Sequence, residues 1–197
     1  MTKRILQQRD EIREGEFFRD VKTGQRYRRI LGGIGWPSVH AAGCAVVLTE
    51  GLFKDYEAET RIIRVIETKY DKDPNGLLDQ IEAIQDNLCR LDWYGNTEST
   101  WRRLLPDKNA ELHRNRKAQI RLFKPPAFDD ADKFGAYAQL LKFRVGGVKT
   151  FYFDESGTAM EFSQILGDPS QMDESRFPGA AAVLYALAAM DLRRMPN

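Results

Sequence analysis

RRILGGIGW (28–36), GCAVVLTEGL (43–52) and TRIIRVIETKYD (60–71) are the three runs whose reading decides the fold. Each is rich in Val, Ile, Leu, Thr and aromatics, and Gly, Pro, Ser, Asp or Glu separates one from the next, the pattern of successive strands joined by turns. The middle run reads as a continuous apolar strand from Cys44 to Thr49, as expected of a central strand covered on both faces. The third mixes Ile62 and Val65 with Arg61, Arg64 and Thr68, which places it nearer an edge. The first carries Gly32, Gly33 and Gly35. Glycine inside a strand weakens it and marks a close approach of another backbone or a ligand. These glycines are no phosphate loop, because Trp36-Pro37-Ser38 leads to another strand and not into a helix.

Upstream, EFFRDVKTGQRYRR (16–29) reads as a lead-in hairpin turning at Lys22-Thr23-Gly24-Gln25. Residues 3–14 space Ile5, Leu6 and Ile12 as a weak amphipathic helix or a loose arm. Downstream, Asp73-Pro74 supplies a helix start, and Leu77, Ile81, Ile84 and Leu88 recur as one apolar stripe. A short strand, Leu91 to Gly95, follows, with Asp92 at its start and Asn96 just past its end, where open sheets place ligands. Next come a short helix around Trp101, Leu104 and Leu105, a break at Pro106, the basic helical piece ELHRNRKA (111–118) and a strand from Gln119 to Phe123. A helix capped by Asp129 or Asp130 carries Phe134, Tyr137, Leu140, Leu141 and Phe143 and ends at Gly146-Gly147. A hairpin over 148–162, the acidic loop GDPSQMDESR (167–176) and a helix opened by Pro178 and rich in alanine complete the chain.

The chain of 197 residues is long enough for one well-buried core, and 42% hydrophobic with 30% charged residues is ordinary for a soluble globular protein. Thirty Lys and Arg balance 29 Asp and Glu, so net charge gives no reason to expect a nucleic acid or a membrane. The charge is segregated, however. Residues 101–124 hold Arg102, Arg103, Lys108, Arg114, Arg116, Lys117, Arg121 and Lys124 against Asp107 and Glu111. Residues 151–177 hold six acids and only Arg176. A basic surface of this kind can attract phosphate backbones, although such a run is more often a solvated helix face. Cys44 and Cys89 lie in apolar segments, as buried thiols do, and His40 stands alone in a loop. Neither a signal-peptide core nor a run near the roughly 20 apolar residues of a membrane span is found, which leads to an expectation of a cytoplasmic protein. No Gly-x-Ser-x-Gly elbow, Walker loop, Cys-x-x-Cys pair or His pair at metal spacing occurs.

Three strands followed by alternating helix and strand resemble the ribonuclease H-like fold over about residues 27–190. More narrowly, KFGAYAQLLKFRVGG (133–147), KTFYFDESGTAMEF (149–162), GDPSQMDESRF (167–177) and PGAAAVLYALAAM (178–190) resemble the end of the nuclease domain of phage terminase large subunits. The resemblance implies an α/β fold with a ribonuclease H-like mixed sheet, a three-strand antiparallel meander plus parallel strands, flanked by helices. Residues 1–26 would be an N-terminal charged arm or hairpin and 27–197 the domain. It also implies where two catalytic metals would sit, held by acids at three places. The first belongs in a segment like Gly-Ile-Asp-x-Gly, where this chain reads Gly33-Ile34-Gly35-Trp36-Pro37. The second would end the strand at Tyr94-Gly95-Asn96, and the third would enter the last helix at Pro178-Gly179-Ala180-Ala181. None carries an acid, so no catalytic residue, metal ligand or cofactor is assigned.

The first expectation is therefore a degenerate, phage- or prophage-derived nuclease-like module. It would bind DNA or a packaging protein through Arg102, Arg103, Arg114, Arg116, Lys117 and Arg121. The alternatives are an active metal-dependent nuclease with a non-standard acidic set, Glu50, Asp92 and Asp173, or a structural domain, such as a homodimer, in which Trp36, Trp93 and Trp101 are core or interface.

Overall fold

A computed structural model describes residues 3–10, 15–55, 58–125, 151–153, 161 and 173–190. The three diagnostic runs form β3 (Arg26–Gly35), β4 (Gly43–Asp55) and β5 (Ala58–Asp71), an antiparallel meander. Two further strands precede it. β1 (Ile5–Asp10) pairs antiparallel with β2 (Gly15–Asp20), and β2 pairs antiparallel with β3 through Phe18–Tyr27 and Arg19–Arg26. The turn between β2 and β3 is organised by Asp20, which is fully buried. Its carboxylate accepts the Lys22 amide at 2.8 Å and the Arg4 guanidinium at 2.7 Å. Gly24 completes that turn at φ +73°, a left-handed conformation open to glycine at little cost.

The first part of β3 is thus flanked by β2. Its last part is flanked on the same edge by β6 (Asp92–Gly95), parallel, with Gly32 opposite Trp93 and Ile34 opposite Gly95. β7 (Arg121–Phe123) lies parallel beyond β6, and β8 (Phe151–Phe153) lies parallel against β5. Three helices are described: α1 (Pro74–Asn87), α2 (Leu105–Arg114), which follows a 3₁₀ turn at Thr100–Leu104, and α3 (Pro178–Ala189).

Side chains alternate along the strands, so the sheet separates two cores. On one face, Leu77, Leu78, Ile81 and Ile84 of α1 pack with Ile34, Ala45, Val47 and Trp93. Each such fully buried aliphatic side chain contributes about 2 kcal/mol. Asp73 caps α1 by accepting the Asn75 amide at 3.1 Å. The buried Gln85 amide satisfies this core's polar atoms: its oxygen accepts the Leu91 amide and the Trp93 indole N–H, and its nitrogen donates to the Ala118 carbonyl. On the other face, Val183, Leu184 and Leu187 of α3 pack with Cys44, Val46, Leu48, Ile63 and Val65. Cys44 is buried in this second core and Cys89 in the first, and neither is in a disulfide.

The structure departs from the sequence reading in four places. The expected ribonuclease H-like mixed sheet is replaced by a mostly antiparallel one. Its bulk is the five-strand meander β1 to β5, and each parallel pairing spans only three residue pairs. Residues 5–10 are a strand and not a helix or arm, because β2 offers them a continuous hydrogen-bonded edge. β5 is not at an edge among the described residues, since β4 and β8 pair on its two sides. Pro106 opens α2 in its first turn, where a missing N–H costs nothing, and does not break it. The expected helix over 129–143 and the second strand of the hairpin at 159–162 fall outside the described residues, apart from Glu161. No helix among the described residues is long and apolar enough to cross a membrane.

Candidate functional site

The place where the nuclease resemblance would set its first acid is the end of β3, and its geometry follows from glycine. Gly33 and Gly35 point to the α3 side of the sheet. A Cβ built on Gly33 would lie 1.9 Å from the Ala182 carbonyl oxygen, and one on Gly35 would lie 2.0 Å from that of Pro178. Both positions are filled by the backbone of α3. The small residues of α3 allow the helix to descend this far, and the absence of side chains on β3 allows the sheet to receive it. A carboxylate at Gly35 has no room, and the residue that blocks it, Pro178, belongs to the segment that would have brought the third acid.

Carboxylates do reach this neighbourhood from the loop before α3. Glu174 accepts the Asn96 side-chain amide at 3.3 Å and the Tyr185 hydroxyl at 2.8 Å, and Trp36 N–H also donates to it. It thereby ties the ends of β3 and β6 to α3. Burial pushes its pKa up, against the opposing pull of these three donors. Glu161 accepts the Ala180 amide and the Tyr70 hydroxyl, both at 2.9 Å, so it caps the start of α3. Burial raises its pKa as well, and raises that of Tyr70. The oxygens of both carboxylates are occupied by protein donors. The acidic loop is plain in the sequence, but nothing local singles out Glu174 within it. The one signal is slight, a carboxylate four residues ahead of Pro178.

The three acids weighed for an active site are dispersed. Glu50 is buried on β4 opposite Arg29, whose Nε lies 3.9 Å away and whose Nη1 donates to the Met190 carbonyl. Asp92, at the start of β6, pairs with Arg121. Asp173 is exposed and accepts the Ser175 amide at 2.8 Å. Glu50 flanks Arg29, whereas Asp173 sits just before the helix that covers Gly35, a separation of about 20 Å along β3. No three His, Cys, Asp or Glu gather in metal-binding geometry among the described residues.

The basic segment divides in two. Lys108 is nearly buried and bridges Asp79 at 2.6 Å and Glu82 at 2.5 Å, with Glu111 at 3.6 Å. Burial works against its ammonium, but Asp79 and Glu82 outweigh that and raise its pKa. Lys117 pairs with Glu82 and Asp86, Arg121 with Asp92, and Lys124 with Glu98. Arg102, Arg103, Arg114 and Arg116 are exposed and have no ion-pair partner among the described residues. Of the six expected binding residues, then, Lys117 and Arg121 are held by acids, and four remain available. Arg102 and Arg103 rim an open groove of about 700 Å³, lined also by Thr97, Ser99, Thr100 and Leu122. Its walls are the 3₁₀ turn and the start of α2 on one side and β7 on the other. Guanidinium groups and hydroxyls over an apolar floor suit an extended anionic ligand. No family model, curated protein or solved structure matches this chain.

Proposed function

We propose that this protein is a non-catalytic module that holds nucleic acid by its phosphate backbone, with the groove rimmed by Arg102 and Arg103 as the contact. Arg114 and Arg116, exposed at the far end of α2, are a separate pair of cations outside the groove lining. The observation that carries this reading is the division of the basic segment, in which four exposed arginines are left without carboxylate partners among the described residues and two of them, Arg102 and Arg103, line a groove. Closure of Gly35 by the Pro178 carbonyl supports the absence of metal-dependent cleavage. The likeness to terminase nuclease domains adds an ancestry to the proposal: a phage or prophage packaging protein, cytoplasmic, that has kept its hold on DNA while shedding its acids.

The test is the affinity of the purified protein for labelled oligonucleotides across a salt series. Affinity should fall as salt rises. Arg102→Glu with Arg103→Glu should weaken it at least tenfold and flatten a duplex salt slope by about 0.9 for each phosphate no longer neutralised. Affinity indifferent to salt and to both substitutions overturns the reading. Magnesium- or manganese-dependent cleavage abolished by Asp92→Ala or Asp173→Ala would overturn its non-catalytic part.

A further inference from the structure

The other face of β7 carries a second feature. Strand alternation sends Leu122 into the groove and its neighbours Arg121 and Phe123 to the opposite face. There the register sets Phe123 beside Tyr94 and Arg121 beside Asp92. The two rings lie 5.8 Å apart at 35°, and the Arg121 guanidinium stands 5.9 Å from the Phe123 ring centre. Phe123 is 41% exposed, although the Trp93 and Leu122 side chains on the reverse face are given to a core. Tyr94 and Phe123 belong to neither core. Gly33 is the register partner of Tyr94 and Tyr94 that of Phe123, so both aromatics lie on the face that α3 covers. Among the described residues, β7 is hydrogen-bonded on its β6 side alone.

We infer that Phe123 and Tyr94 form a stacking platform for bases and that the nucleic acid held by this protein is single-stranded. The inference rests on the reading of the groove as a phosphate contact and makes it specific. An exposed ring on the outermost described strand, with a second ring beside it and a guanidinium above, offers π-faces that any base can use. Groove and platform lie on opposite faces of β7. A flexible single strand can cross that edge, its phosphates along Arg102 and Arg103 and its bases turned onto Phe123 and Tyr94. A duplex keeps its bases paired inside and is too stiff to wrap a sheet edge, so it can use the groove alone.

The experiment compares an oligothymidine of about 20 nucleotides with a duplex of about 20 base pairs, measured on the full chain at matched salt. The single strand should bind at least tenfold tighter. Phe123→Leu, which keeps apolar bulk and removes the aromatic face, should weaken single-strand binding about 5- to 100-fold and leave duplex binding unchanged. Phe123→Trp should preserve single-strand affinity, and its indole fluorescence should be quenched by the strand. An unfolding midpoint for Phe123→Leu within error of the parent shows that the weaker binding comes from the missing ring and not from a damaged fold. Equal binding of strand and duplex, salt-dependent and unmoved by Phe123→Leu, overturns the platform and leaves the groove reading standing. No binding of either form overturns both.

Discussion

At Gly35 a single hydrogen atom decides how closely α3 can approach the sheet. A Cβ there would meet three backbone atoms of Pro178 within 2.8 Å, none of which can swing aside as a flexible side chain does. Gly35→Asp, which would put an acid where the nuclease resemblance expects one, should therefore destabilise the fold by about 3 kcal/mol or more, from overpacking together with a buried charge. Guanidinium unfolding measures it, and a variant as stable as the parent would show that α3 does not bind this closely. The sequence marks Gly32, Gly33 and Gly35 as places of close approach but does not name the approaching element. That element lies about 145 residues away in the chain, and a contact of such separation leaves no trace in local spacing. Glu174 is hidden for the same reason: its three donors come from just past the ends of β3 and β6 and from α3.

Elements are legible where apolar spacing alone makes them. β3, β4, α1 and β6 form where the runs and the Asp73-Pro74 start place them, because each presents a face that any core would bury. β1 is not legible, since Ile5 and Leu6 fit a helix as well as a strand and only pairing with β2 decides between them. The lysines of the basic segment also depend on partners that spacing does not reveal. Lys108 fastens α2 to Asp79 and Glu82 on α1, so its role is to join two helices. Removing it by Lys108→Ala leaves Glu82 half-paired in a largely buried position and should cost about 2 kcal/mol, seen as a lower unfolding midpoint with nucleic-acid affinity unchanged. Weaker binding at unchanged stability would instead make Lys108 a ligand contact.

For the molecule as a whole, carboxyl groups shifted in opposite directions set how stability follows pH. Burial pushes the Asp20 and Glu82 carboxyls up, but Arg4 and the Lys22 amide in one case, and Lys108 and Lys117 in the other, outweigh it and leave both below the ordinary range. They add stability at neutral pH that is lost as pH falls through their folded values. Glu161 and Glu174 are raised above the ordinary 4.5, so the folded state holds their protons more tightly than the unfolded chain. Their contribution is complete at acid pH and declines as pH rises through the folded values. Glu174→Gln removes one such titration. Its stability relative to the parent should therefore improve steadily from about pH 4 upward, as followed by denaturant unfolding at each pH. A difference that stays constant with pH would assign the strain at Glu174 to something other than its charge.

The two cysteines give this architecture a built-in pair of clocks. Cys44 lies beneath α3 and Cys89 lies on the α1 side, so each face of the sheet carries one thiol shielded from water. Burial pushes the Cys89 thiol up to about 11, far from the thiolate that reacts with alkylating reagents. Modification of either cysteine must await the opening of its own face. The molecule thus timestamps separately the lifting of α3 from the glycine-lined strand and the parting of α1 from the reverse side, with no label introduced.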